Sequence, residues 1–228
     1  MKKLCAGIFA VFLCLILPAG YAGAYTINDS PSDRIGNLPF ELYGINVYQN
    51  GATLNFDIFT NYPQGGYSVS GWNTIPADLA IDANRDGVYE YGIAFTDYNN
   101  HTPGALYNVT SWKISDNFDP NPGSYYYNHN RIVKIDQGTA VYSGSVTWTL
   151  TGGSNPYYYI HTQIDINQLT GINDGLINVF YATATCANDF AGGPASVPEP
   201  GTMLLLGSGL MGLVGFRKKL KRKTHDLD

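Results

Sequence analysis

Between residues 25 and 196, apolar side chains recur at every second position in short runs, and Gly, Asn and Pro cut each run off. A period of two sends successive side chains to opposite faces of a strand, so a chain written this way can bury one face of many short strands but not one stripe of a helix. The clearest case is Tyr43, Ile45 and Val47, which alternate with Gly44 and Asn46. Asn50 and Gly51 come next, and then Leu54, Phe56 and Ile58 resume the alternation. Asn and Gly tolerate the positive φ that a tight two-residue turn requires, so this segment predicts a β-hairpin. Further β-rich runs cover 79–81, 88–95, 106–114, 131–135, 139–150, 157–166 and 176–185. The stretch 181–186, closing on Cys186, reads as the last strand of the domain. No segment within these limits repeats its apolar residues every 3.6 positions. The expected fold is therefore all-β, an antiparallel β-sandwich of jelly-roll-like or Ig-like type spanning residues 25–196.

Both ends of the chain break the pattern. Met1, Lys2 and Lys3 place positive charge ahead of an apolar run over 4–17, and Pro18 and Gly20 lead into the small residues Ala22, Gly23 and Ala24. This is the three-part layout of a secretory signal peptide, predicted as a signal helix within residues 1–24, handled by the Sec export machinery and cleaved after Ala24. The apolar run falls short of the ~20 residues of a usual spanning helix, which argues against a retained anchor. At the other end Pro198, Glu199 and Pro200 interrupt the chain. Residues 202–216 are uncharged and largely apolar, and residues 217–223 hold six basic side chains. Basic residues stay on the cytoplasmic side of a membrane, so 224–228 is expected inside and everything before Pro198 outside. Fifteen helical residues rise only ~22 Å against a hydrocarbon core of ~30 Å. A hydrophobic helix this short suits transient holding in the inner membrane better than permanent anchoring.

Pro198, Glu199 and Pro200, the apolar helix and the basic cluster resemble, in order and spacing, the tripartite PEP-CTERM sorting signal, here residues 197–223. The stretch from Gly209 to Arg217 is similar to the usual core of that signal. The resemblance implies export, recognition and cleavage near Pro198 by a membrane exosortase, and a cell-surface or extracellular destination associated with exopolysaccharide and biofilm. Cys186, Asn188 and Asp189, with Gly192 close behind, resemble a Cys-x-Asn-Asp ending of exosortase-dependent surface proteins, a marker to which no chemistry attaches.

Removing both signals leaves 173 residues, 25–197, with fifteen Asp and Glu against five Lys and Arg, a net charge near −10. That balance disfavours a nucleic-acid partner and suits divalent cations or neutral polysaccharide. Cys5 and Cys14 fall in the signal peptide, so Cys186 has no partner for an internal disulfide and is expected buried.

The sharpest internal motif is Asp82, Asn84 and Asp86 at alternate positions before Gly87, followed by Val88 and Glu90. These are positions 1, 3, 5, 7 and 9 of an oxygen-rich loop that wraps Ca²⁺, the Val88 carbonyl serving at position 7. Position 12 is Ile93 rather than Glu, so another carboxylate is needed, with Asp78 the nearest candidate. The alternative is a plain hairpin turning at Asp86 and Gly87. Two Tyr blocks, Tyr125, Tyr126 and Tyr127 and then Tyr157, Tyr158 and Tyr159, offer rings for stacking on sugars, although Tyr is also simply a favoured strand residue. The chain has no Gly-x-Ser-x-Gly, no His-Glu-x-x-His and no cysteine spacing for a metal. A non-enzymatic protein is expected, with a carbohydrate-binding module as the second reading. A secreted glycoside hydrolase, which needs only two opposed carboxylates, is the third.

Overall fold

The computed structural model describes residues 24–30, 33–69, 71–118, 127–197 and 209. Residues 1–23 of the expected signal segment, Ala22 among them, Tyr125, Tyr126, residues 198–200 and the apolar stretch 202–216 apart from Gly209 lie outside the described residues. Among the described residues, no helix is long and apolar enough to cross a membrane. Contacts group Ala22–Pro198 into one compact unit.

Among the described residues thirteen strands run through that unit: β1 (Tyr25–Asn28), β2 (Leu42–Asn50), β3 (Thr53–Thr60), β4 (Tyr67–Val69), β5 (Trp72–Thr74), β6 (Leu79–Asp82), β7 (Tyr91–Ile93), β8 (Leu106–Ile114), β9 (Ile132–Tyr142), β10 (Val146–Leu150), β11 (Tyr158–Asp165), β12 (Leu176–Ala182) and β13 (Phe190–Ser196). A five-stranded sheet has the order β1-β2-β3-β11-β10, a six-stranded sheet the order β13-β12-β6-β7-β8-β9, and β4 and β5 form a separate hairpin. Every pairing is antiparallel. The expected all-β antiparallel architecture is the one observed. Ile45, Phe56, Ile58 and Ile160 of the first sheet share one buried cluster with Leu79, Ile81, Ile93, Val133, Val179 and Tyr181 of the second. The two sheets thus lie face to face on a common core, which apolar residues at alternate positions of each strand supply.

The hairpin read from alternation is β2–β3, and its last pair, Asn50 with Thr53, places the turn at Gly51 and Ala52. β2 departs from regular pairing between Leu42 and Gly44. Gly44 has φ +141°, and a Cβ there would lie 2.6 Å from the Ile27 carbonyl of β1. This irregularity leaves Tyr43 pointing outward, 43% exposed.

Three sequence expectations shift. The run 88–95 is strand only over Tyr91–Ile93; the Asp86 carboxylate takes the Val88 N–H and the Asp78 carboxylate the Phe95 N–H, so neither end of the run joins the ladder. The run 139–150 breaks at residues 143–145, where the chain leaves β9 in one sheet to begin β10 in the other. That link presses on the turn before β8: a Cβ on Gly104, φ +85°, would sit 2.4 Å from Ser145 Cα, and one on Gly144 would sit 2.5 Å from the Gly104 carbonyl oxygen. Finally, Cys186 is not on the last strand. β12 ends at Ala182 and β13 follows Cys186 at the sheet edge. β13 contains Pro194, whose missing N–H an edge strand tolerates.

Candidate functional site

The oxygen-rich loop connects β6 to β7, residues 83–90. Asp82, at the buried end of β6, is paired in register with Asn178 of β12, whose Nδ2 donates to Asp82 Oδ2 at 3.0 Å. The same carboxylate accepts the N–H groups of Arg85 (2.6 Å) and Gly87 (3.0 Å) and so folds the loop back over itself. Asn84 Oδ1 accepts from the Asp86 N–H and Asp86 Oδ1 from the Val88 N–H, each at 2.8 Å, while Glu90 Oε2 accepts the Ala83 N–H at 3.0 Å. Arg85 and Gly87 take φ of +61° and +92°. The result brings single carboxylate oxygens of Asp82, Asp86 and Glu90 within 4.8 Å of one another. Among the described residues no ion pair reaches these three carboxylates, and Arg85 turns instead to Asp174, 2.5 Å away. Hard oxygens gathered in a tight loop are the donor chemistry that a divalent cation uses.

Asp78 does not complete this set. It precedes β6, four residues from Asp82, and is buried. Its Oδ1 accepts the Phe95 N–H and its Oδ2 the Ile135 N–H, both at 2.9 Å, and it forms an ion pair with the fully buried Lys134. The ammonium also donates to Thr96 Oγ1 at 2.8 Å and to the Pro76 carbonyl at 3.3 Å. Burial pushes the Lys134 pKa down while the Asp78 charge opposes that shift. Asp78 is therefore a core acceptor, saturated by its own neighbours.

A second acidic cluster, made of parts distant in sequence, went unread there. Asp29, after β1, and Asp33 meet Asp189, before β13, with carboxylate oxygens within 4.8 Å of one another. Asp189 is buried and Oδ2 accepts the Leu42 N–H at 2.7 Å. Burial, followed by the charges of Asp29, Asp33 and Glu41 against that one hydrogen bond, raises its pKa to about 8. Burial and then Asp33 raise Asp29 to about 6. Folded-state values above the unfolded ~3.9 mean that these groups favour the fold most when protonated, and that this contribution is lost as pH rises through about 6 and then about 8. Thermal midpoints should rise as pH falls from 9 to 5, and Asp189→Asn should flatten that rise. A midpoint that instead climbs steadily from pH 5 to 9 would contradict the burial of this cluster.

Of the two Tyr blocks, Tyr127 and Tyr157 to Tyr159 are described. Tyr127 is buried beside Trp72 and His129, within a small cluster that includes Phe40, Tyr62 and Cys186. It cannot stack on a ligand, because its ring is already packed in protein. The Cys186 thiol, likewise buried, is pushed up to about 12 and is chemically quiet. Tyr158 packs edge-on against Trp148, while Tyr157 and Tyr159 contact Phe59. Residues paired directly across strands share a face, so Phe59 with Tyr159 and Asp57 with His161 line the side of the five-stranded sheet opposite Ile58 and Ile160. There Asp57 Oδ1 accepts from Tyr159 OH (2.8 Å) and contacts His161 Nδ1 (2.7 Å). Burial first and this carboxylate second hold the Tyr159 phenol well above its ordinary value. Outward parity of Asp57, Phe59, Tyr159 and His161 against their apolar neighbours was the signal that marks this face in the sequence.

Beyond β13 the chain changes character. Ser196 is the last strand residue, and the Val197 N–H closes the edge on the Gly175 carbonyl at 2.7 Å. A family model described as the PEP-CTERM protein-sorting motif matches residues 196–219. The chain carries a PEP-CTERM sorting motif. The match starts on the final residue of the final strand, so the sorting motif and the β-domain meet at Ser196. The motif implies export to the cell surface or extracellular space and processing by an exosortase. Comparison with curated proteins and with solved structures gives no match.

Proposed function

We propose that this is a non-enzymatic envelope or matrix protein, held briefly at the inner membrane, cut by exosortase near Pro198 and displayed or released with exopolysaccharide, its β-domain stiffened by Ca²⁺. The observation that carries the reading is the junction at Ser196: a cut just beyond it frees a finished sandwich and leaves behind only the signal. Intact-mass measurement on the surface form should then show the loss of residues 201–228. A mature protein that still carries Arg217 and the following lysines would make the tail a lasting anchor and end the proposal of release.

Calcium is assigned to the loop formed by Asp82, Asn84, Asp86, the Val88 carbonyl and Glu90. Three carboxylates without a protein cation favour a bound ion, and binding to the folded state alone raises stability by mass action. With free Ca²⁺ near 100 times its dissociation constant the gain is about 2.7 kcal/mol, and for a domain of this size the midpoint shifts by roughly 5–10 °C. Chelator should lower the midpoint by that amount in the wild type and leave Asp82→Ala with Asp86→Ala unmoved. An unchanged wild-type midpoint would remove calcium from the account, and a shift that survives in the variant would move it to the cluster of Asp29, Asp33 and Asp189.

A further inference from the structure

We infer that a cleft on the outer side of the five-stranded sheet binds a neutral polysaccharide chain. The inference deepens the matrix reading above and rests on it for the source of the glycan. The cleft has a volume of about 830 Å³ and is walled by Tyr43, Phe59, Asn61, Ser154, Asn155 and Tyr157, with Leu38 and Pro39 at one rim. That volume falls in the roughly 300–1,000 Å³ range of small-ligand sites.

Three features of its chemistry select the ligand. First, the aromatic rings are set steeply to one another rather than stacked: Tyr43 to Tyr157 has centroids 5.9 Å apart at 67°, and Phe59 to Tyr157 6.1 Å apart at 67°. An edge-on contact covers one face of one ring only, so Tyr43 and Tyr157 each keep a face that can meet the apolar C–H side of a sugar. Leu38 and Tyr43 are among the most exposed large apolar residues of the described chain, at 57% and 43%. Second, the polar groups on the lining are amides and hydroxyls, which both donate and accept as vicinal sugar hydroxyls require. Asn61 Nδ2 donates to Tyr43 OH at 2.7 Å, so the phenol oxygen is held as an acceptor while its own hydrogen stays available to donate. Third, among the described residues no Asp, Glu, Lys, Arg or His lines the cleft, and the surrounding exported chain carries fifteen acids to five bases. An anionic glycan gains no partner there and is repelled by the domain, whereas a neutral one is not.

The cleft is also built in advance. Tyr43 is turned outward by the irregularity at Gly44, and the far wall is pinned at its base, where Thr151 Oγ1 donates to the Tyr157 carbonyl and accepts the Tyr157 N–H, both at 3.0 Å. This site differs from the one expected from the Tyr blocks: of their four described members, Tyr157 alone lines it, and Tyr43 and Phe59 come from the first hairpin. Among the described residues the lining also holds no opposed carboxylate pair of the kind that a glycoside hydrolase uses.

The test is affinity electrophoresis of the full chain, purified in detergent, through gels holding a β-1,4-glucan, a galactomannan or dextran, with polygalacturonate as the anionic comparison. Retardation is expected in at least one neutral gel and absent in polygalacturonate. Tyr43→Ala and Tyr157→Ala should each weaken it roughly tenfold, and Tyr157→Phe, which keeps the ring face, should retain it. Thermal midpoints of the variants show that they fold. No retardation in any neutral gel, equal retardation of the double Ala variant, or retardation confined to polygalacturonate overturns the assignment. The mass of the surface form separates the two readings: a processed tail with no glycan binding removes only the cleft, and glycan binding with an unprocessed tail removes only the sorting reading.

Discussion

Asp78→Ala should lower the stability of the β-domain by about 3–5 kcal/mol, and the thermal midpoint by roughly 6–20 °C. The substitution removes one carboxylate but leaves three donors stranded in the core: the Lys134 ammonium and the N–H groups of Phe95 and Ile135. An ammonium without a counter-charge in a site with no solvent access is the most expensive of the three. Lys134→Met on its own strands a carboxylate that still has two backbone donors, so its loss should be smaller. The double variant Asp78→Ala with Lys134→Met removes the charge problem altogether and should fall well short of the sum of the single losses. Chemical denaturation of the four proteins measures this directly. Simple additivity would show that the pair is not an energetic unit and that Asp78 acts through its backbone contacts alone.

Gly104→Ala is the second large effect. At φ +85° any side chain is strained, and the added Cβ would meet Ser145 Cα at 2.4 Å, a backbone atom that no rotamer change can move aside. Strain at such a backbone position and forced overpacking each contribute about 1–3 kcal/mol, so a total loss of about 2–6 kcal/mol is expected. The control is Gly152→Ala, where nothing lies within 4 Å, and it should change stability by no more than about 0.5 kcal/mol. Equal midpoints for the two variants would mean that the link across residues 143–145 yields freely and does not tie the sheets together.

Period-two alternation made β2, β3, β8, β11 and β12 legible, because each packs one face on the shared core and its sequence records that face. β13 left no such record. Phe190, Ala191, Gly192, Gly193, Pro194, Ala195 and Ser196 form a strand because the exposed edge of β12 needs a partner, and Gly192 is small because a Cβ there would meet the Phe180 ring at 2.9 Å. The loop from Asp82 to Glu90 was legible for the opposite reason, since all its groups lie within nine residues and act on their own backbone. Asp78 misled because proximity in sequence says nothing about which end of a strand a side chain serves. The Asp29, Asp33 and Asp189 cluster and the cleft of Tyr43, Phe59 and Tyr157 were not legible as sites, because each is assembled from segments that only the sheet order brings together.

The place of β13 has a mechanical consequence. It hydrogen-bonds to β12 alone within its sheet, and the chain leaves it at Ser196 opposite Leu176, with the Val197–Gly175 bond as the last clasp. Were the tail to be pulled, the load would reach that clasp before any rung of the ladder between β12 and β13. Severing the tail removes the load, and the free domain then keeps its edge strand without any pull to resist.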